Sequence, residues 1–251
     1  MVHFVGAGSG AADLITLRGA RLLRRADVVI YAGSLINPEL LELTRPECER
    51  YDSSKMTLEQ IILVIERAER ENRLTVRLQT GDVSLYGAVR EQFDELDRLG
   101  IEYDVCPGVS SLFGAAAALK TEYTLPDICQ SVVITRVGGK TPVPSRESVR
   151  SFAAHRTTMV FFLSTALAFD LQRELTAGGC DADTPAAVVY KATWPEERVF
   201  RCTVGTLAET VSSNGLKNTA LIIVGQCLAG GHTRSGLYSP DFTTGYRKAE
   251  K

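Results

Sequence analysis

Residues 74–111 read LTVRLQTGDVSLYGAVREQFDELDRLGIEYDVCPGVSS, and this stretch decides the fold class. The apolar run Leu74–Leu78 predicts a strand that opens into the loop Thr80–Gly87. A charged helix is expected from Ala88 to Leu99, stopped by Gly100. Ile101–Cys106 predicts a second strand, which ends at Pro107-Gly108. Strand, helix and strand in this order make a βαβ unit, with parallel pairing and a right-handed crossover. The same alternation extends outward in both directions. Val2–Val5 is an apolar run closed by GAGSG, Leu14–Arg25 reads as a helix with Leu14, Leu17 and Leu22 on one stripe, and Val28–Tyr31 is a strand. Thr57 and Gln60 fit a capping box. The stripe Leu58, Ile61, Ile62, Ile65 and Ala68 behind them keeps the 3.6 period. Ser110–Leu119 is alanine-rich and helical.

Past a turn at Pro126-Asp127, strands are expected at Ser131–Thr135, Met159–Leu163, Ala187–Tyr190, Val199–Thr203 and Leu221–Val224. Helices are expected at Glu147–His155, Leu167–Thr176 and Leu207–Ser212. The first half reads as parallel. The second reads as mixed, because Ala187–Thr203 can hold a hairpin. The expected organisation is two α/β domains, 1–119 and 120–229, followed by a tail, 230–251.

The 251 residues are 45% hydrophobic and 23% charged, an ordinary globular mixture. Lys plus Arg is 28 and Asp plus Glu is 30, for a net charge of -2. That disfavours a binder of nucleic acid or of a membrane surface. The first residues carry no basic leader and no apolar run is long enough to span a bilayer, so a cytoplasmic protein is expected. The six cysteines are widely spaced with no CxxC pair, which argues against a zinc knuckle or a redox dithiol. His3, His155 and His232 have no metal-ligating neighbour at helical spacing, and no bound metal is expected.

Gly6, Gly8 and Ala11 satisfy G-x-G-x-x-A, the dinucleotide fingerprint. That reading needs a helix opening at the glycines and an acid ending the next strand. Helix formers begin only near Leu14, and Tyr31-Ala32-Gly33 ends the strand, so a nicotinamide enzyme is a remote alternative. Thr80–Gly87 lies at a strand's carboxyl end, where α/β sheets place ligands. It has no phosphate-binding lysine. Asp82 reads either as a ligand contact or as an Asx-type cap of the next helix. Ser110 is a natural N-cap. Together the three glycine loops make a rim poor in side chains, suited to a ligand read by main-chain groups. No nucleophile motif of the G-x-S-x-G kind is present. Arg136, Lys140, Arg146, Lys191 and Arg198 fall near second-half strand ends, where they can meet a polycarboxylate.

Taken in order, FVGAGSGAADLITLRGARLLRRADVVIYAGSL, TGDVSLYG, CPGVSS and ALIIVG resemble the tetrapyrrole (corrin/porphyrin) methylase family over nearly the whole chain. Within the family, YAGSLI, Thr124–Asp127, RVGGKTPVP, FFLS, VVYKATWPEERVFRCTV and SGLYSPDFTTGYR are most similar to the branch acting at C11 of precorrin-4 or its cobalt complex. The resemblance implies two α/β domains with a cofactor cleft between them, a homodimer, and methyl transfer from S-adenosylmethionine in cobalamin synthesis. It implies a cofactor shell of Ser9, Gly81, Asp82, Leu85, Ser110, Ser111, Leu163, Ala192, Ala220 and Leu221. It places Tyr31, Ser34, Arg136, Lys140, Thr141 and Lys191 beside the tetrapyrrole. The family commonly has proline where this chain has Ser9 and Val83, and an acid where it has Ala11. A sulfonium donor carries its own leaving group, so no protein nucleophile is required, in keeping with the missing triad. No general base is assigned; Asp82 is the candidate by position. The alternatives are a family member acting at another ring carbon and a non-catalytic tetrapyrrole carrier.

Overall fold

The computed structural model describes residues 1–231 and 235–249; His232 lies outside them. The chain divides into two compact units, one formed by Met1–Ala115 with Ala192–Glu196, the other by Ala116–Lys191 with Glu197–Lys251.

The first unit is built on a fully parallel sheet of order β3-β2-β4-β1-β5. Its strands are β1 (Val2–Gly6), β2 (Val28–Tyr31), β3 (Glu49–Asp52), β4 (Thr75–Gln79) and β5 (Tyr103–Cys106). Helices α1 (Leu17–Arg25), α2 (Pro38–Leu41), α3 (Leu58–Arg70) and α4 (Arg90–Leu99), with α5 (Ser111–Leu119) as far as Ala115, complete it. One face of the sheet packs Val5, Val29, Val76 and Leu78 against Leu23 and Leu40. The other packs Val2, Phe4, Val28 and Ile30 against Ile61, Ile62, Ile65 and Leu96. Strands covered on both faces read as apolar runs, which is why β2 stands out in the sequence; β4 is buried too, but alternates Val76 and Leu78 with Thr75, Arg77 and Gln79.

The predicted capping box is present: the Thr57 hydroxyl accepts from the Gln60 amide and the Gln60 carboxamide oxygen from the Thr57 amide. Gly100 ends α4 at φ 66°. The first helix differs from expectation. It opens at Leu17, after Thr16, whose hydroxyl accepts from the Gly19 amide. Leu17 is therefore 80% exposed, and the buried stripe is Gly19, Ala20 and Leu23 rather than Leu14, Leu17 and Leu22. The expected helix Glu147–His155 shortens to α6 (Val149–Ala153), because Ser148 caps it by accepting from the Ser151 amide.

The second unit holds a mixed sheet of order β6-β7-β10-β8-β9. Its strands are β6 (Val132–Arg136), β7 (Thr158–Phe162), β8 (Pro185–Tyr190), β9 (Arg198–Thr203) and β10 (Ala220–Val224). β6 and β7 are parallel, β10 runs antiparallel to β7 and β8, and β8–β9 pair as the expected hairpin. With α6, α7 (Ala168–Ala177) and α8 (Leu207–Ser213) packs a core of Met159, Phe161, Leu171, Leu175, Val188, Leu207 and Ile222. All six cysteines are free thiols.

Edge strand β3 has no apolar run to announce it, and charge holds it in place. Glu49 accepts from Arg67 Nη2 at 2.6 Å, from Arg73 Nη1 and from the Tyr51 hydroxyl. The Tyr51 hydroxyl and the Arg73 guanidinium hold the Glu49 carboxyl down at about 2. A depressed folded-state value means the contribution is complete above the unfolded value and is lost as pH falls toward the folded one. Glu49→Gln should therefore cost about 1 kcal/mol at pH 7 for this half-exposed group. In urea titrations the gap from wild type should close between about pH 4.5 and 2; a gap that persists at pH 2 contradicts the assignment.

Candidate functional site

All five strands of the first sheet run the same way, so the loops after β2, β4, β1 and β5 emerge at one edge. The last three belong to neighbouring strands. After β1, the Ala7 amide donates to Gln79 O at 2.7 Å. Gly8 and Gly81 then exchange two hydrogen bonds, at 3.2 and 2.9 Å. A Cβ on Gly6 would sit 2.6 Å from the Gly108 Cα and 2.7 Å from Gly81 O, and one on Gly108 would sit 2.2 Å from that oxygen. Those neighbours are main chain and cannot swing aside. Gly81 needs its glycine for a different reason, a φ of 65°. The three loops thus meet backbone to backbone.

Asp82 ties two of them together. Its Oδ1 accepts from the Ser84 amide at 2.9 Å and from the Ser84 hydroxyl, and its Oδ2 accepts from the Gly108 amide at 2.8 Å. The cap reading of Asp82 is corrected here: the next helix, α4, begins only at Arg90, so Asp82 closes a local turn and reaches across to the β5 loop. Burial pushes its carboxyl up, but the bonds from Ser84 and Gly108 outweigh that and leave it below the ordinary value. Ser110 is buried and accepts from the Leu112 amide at 3.2 Å, capping α5, which Ser111 opens. Leu85 is half-buried in the same loop as Asp82.

Ser9 stands where the family commonly has proline, and its hydroxyl lies 3.0 Å from Thr193 Oγ1, which also accepts from the Ala11 amide at 3.1 Å. A Cβ on Gly10 would meet the Trp194 ring at 2.2 Å and Ala192 O at 2.9 Å. Gly114 of α5 leaves room for Ser9 and Thr193. The Ala192–Glu196 segment thus docks on the first glycine loop, and Ala192 is buried there. Asn37 caps α2 with its Oδ1 and donates from Nδ2 to Gly10 O at 2.9 Å. Asn37, Thr193 and Trp194 were not among the expected site residues. Asn37-Pro38 is a helix-start signal, but nothing local in the sequence tells that its amide reaches Gly10. Val83, the other departure from proline, is buried in the core under the loop.

Tyr31 ends β2, where its carbonyl accepts from the Ser53 hydroxyl; Ser34 lies in the short Gly33–Leu35 turn that follows.

In the second unit, β6 and β7 end at the same sheet edge where β8 ends and β10 begins. This gathers Arg136, Leu163, Lys191, Ala220 and Leu221. Leu163 is 70% exposed at φ 53°, while Ala220 and Leu221 are buried. Arg136 is committed to main chain: its Nη1 donates to Val137 O and Thr141 O and its Nη2 to Pro142 O, which holds the loop carrying the exposed Lys140 and Thr141. Arg198 stacks over Tyr190 at 4.9 Å and over Phe200 at 5.6 Å.

The chemistry of the first rim fits a cationic sulfonium. Loops 6–10, 80–87 and 107–111 carry no lysine or arginine, and Asp82 is their only charged residue. Among the described residues no group of three or more His, Cys, Asp or Glu is placed to hold a metal, and no helix is long and apolar enough to cross a membrane.

The sequence description of the family Tetrapyrrole (Corrin/Porphyrin) Methylases matches residues 1–208. A cobalt-precorrin-4 C(11)-methyltransferase of Methanocaldococcus jannaschii is 47% identical over all of this chain and 97% of its own. The solved structure of a cobalt precorrin-4 methyltransferase superposes with a TM-score of 0.89 at 41% identity, covering 90% of this chain and 95% of that one. A Thermus thermophilus uroporphyrin-III C-methyltransferase, solved in complex with S-adenosylhomocysteine, gives 0.76 at 29% identity, covering 90% and 92%.

Gly108→Ala should separate the loops, lowering stability by about 1–3 kcal/mol as an overpacked site does. Asp82→Asn keeps the acceptor for Ser84 but turns a donor toward the Gly108 amide, and should cost a similar amount. Thermal unfolding checks both; a midpoint equal to wild type for either variant contradicts the interlock.

Proposed function

The chain belongs to the tetrapyrrole (corrin/porphyrin) methylase family, and on that footing we infer that it methylates C11 of precorrin-4 or its cobalt complex. The donor is S-adenosylmethionine and the product is precorrin-5 or its cobalt form, a step of cobalamin synthesis. The observation that carries this reading is the meeting of three glycine loops at the carboxyl edge of the parallel sheet, with Asp82 as their only charge.

Bound S-adenosylmethionine supplies an electrophilic methyl on a sulfonium. The chain's task is to hold that methyl in line with a ring carbon, and positioning of this kind contributes roughly 7–11 kcal/mol in favourable systems. Main-chain groups of the Gly6–Gly10, Thr80–Gly87 and Pro107–Ser110 loops are the holding surface in this reading, with Ser9, Gly81, Asp82, Leu85, Ser110, Ser111 and Ala192 around it. Asp82, ionised at neutral pH, balances the sulfonium charge. Leu163, Ala220 and Leu221 gather at one edge of the second sheet. On the second unit, Arg136 and Lys191 at the sheet edge, with Lys140 and Thr141 on the adjoining loop, are the contacts offered to the tetrapyrrole. A guanidinium bound by three carbonyls is oriented but not neutralised, so Arg136 keeps the charge that attracts a substrate carboxylate. The enzyme works as a homodimer.

Incubation with methyl-labelled S-adenosylmethionine and either precorrin-4 or its cobalt complex should add one methyl group, followed by mass, with the label at C11 by NMR. A label at another carbon moves the protein to a different branch of the family. No incorporation with either substrate overturns the reading.

A further inference from the structure

β4, the middle strand of the first sheet, buries an arginine. Arg77 is 5% exposed, and no carboxylate among the described residues pairs with it. Burial alone pulls its guanidinium down to about 10, so it is still a cation at neutral pH. A buried charge without a counter-ion is costly to fold around. The bonds it makes therefore say what it is there for.

Arg77 Nη1 donates at 3.2 Å to the carbonyl of Ile30, the residue before Tyr31 at the end of β2. Arg77 Nε donates at 3.0 Å to Gln92 Oε1, and Gln92 Nε2 donates at 3.1 Å to the carbonyl of Ala88. Gln92 is itself only 4% exposed, in the first turn of α4. The relay therefore ends where the Thr80–Gly87 loop turns into α4. That turn is strained: Tyr86 and Ala88, neither of them glycine, sit at φ 54° and 48°. No side-chain cap helps, since Val89 at the N-cap offers none. Left-handed residues of this kind persist only where the surroundings force them. The rest of α4 is fixed independently, by Leu96 in the core and by Phe93 packed edge-on against Phe4 at 4.7 Å. A side chain does bond the Ala88 carbonyl, and it is that of Gln92.

We propose that Arg77 and Gln92 are positioning residues, which hold the Asp82 loop in its ligand-competent shape by bonding the Ala88 carbonyl from beneath the sheet. The proposal rests on the reading that this loop grips the cofactor. Arg77 orients the Gln92 carboxamide, because a guanidinium can only donate and so fixes the oxygen inward and the NH2 toward Ala88. Neither residue touches substrate or cofactor.

Gln92→Glu separates this role from a merely structural one. A carboxylate there still accepts from Arg77 and supplies the missing counter-ion, but it has no proton to give Ala88. The variant should unfold at or above the wild-type midpoint. Its affinity for S-adenosylhomocysteine by calorimetry should nevertheless fall about tenfold, or about 1.4 kcal/mol. Amides 80–88 of the ligand-free protein should exchange faster with deuterium. Adding Ala88→Gly, which accepts the left-handed conformation freely, should recover most of the lost affinity. Wild-type affinity and exchange in Gln92→Glu overturn the proposal. So does a loss of affinity that follows a falling midpoint, or one that Ala88→Gly leaves unrepaired. A wild-type protein that binds no S-adenosylhomocysteine overturns the cofactor reading itself, and the proposal with it.

Discussion

Contact between bare backbones at Gly6, Gly81 and Gly108 is the constraint on which the first unit's site depends. Side chains normally keep neighbouring loops several ångströms apart. At Gly6 and Gly108 a Cβ would fall 2.2–2.7 Å from main-chain atoms of a neighbouring loop, while Gly81 supplies the positive φ that brings its carbonyl to them. Three strand ends that adjoin in the sheet can then share hydrogen bonds beyond the last ladder rung, as Gly8 and Gly81 do. The result is a surface rich in amides and carbonyls, with the Asp82 carboxylate and a few hydroxyls among them, anchored to the sheet beneath. Such groups do not need to be reordered when a ligand arrives, and preorganisation of that sort lowers the cost of binding.

A main-chain site still needs its loops held, and the supports come from outside the glycine motifs. Asp82 bridges the β4 and β5 loops, Asn37 reaches Gly10 from the β2–β3 connection, and Thr193 with Trp194 covers Ser9 and Gly10. Ser9 and Val83 are held by tertiary contact as well. Ser9 exchanges ring rigidity for a hydroxyl contact with Thr193, and Val83 for burial in the core. The loop entropy that a proline would have removed is removed instead by tertiary contact.

These facts explain which features the sequence made legible. Runs such as Val28–Tyr31 and the Thr57–Gln60 box are local, and their meaning is fixed within a few residues. The failure of the nicotinamide reading was legible for the same reason: the missing helix at Gly6–Gly10 is a local absence, and α1 does open only at Leu17. β3 escaped because an edge strand pinned by Arg67 and Arg73 has no need of apolar residues. Leu17 misled because Leu14, with which it was aligned, lies in a separate short turn, Ala12–Leu14, and the helix starts only after the Thr16 cap, so the two share no helical face. Asn37, Gln92 and Trp194 escaped because their partners are remote in sequence or are main-chain carbonyls, which have no sequence signature. The two sheet edges became visible as gathering places only once strand order was known, since order decides which ends adjoin.

Charge placement completes the argument. The first rim keeps cations out of its loops and holds one carboxylate, an arrangement that tolerates a positive ligand and repels none. At the second sheet's edge the balance is reversed: Arg136, Lys191 and Arg198 lie at strand ends there, two of them at or over Tyr190. A positively charged donor and a polyanionic acceptor make opposite demands on their surroundings, and a single field could not meet both. The buried Arg77 fits the same logic. Its charge sits under the rim rather than in it and is directed at two carbonyl oxygens, so it can hold the loop's shape without placing a cation among the loops themselves.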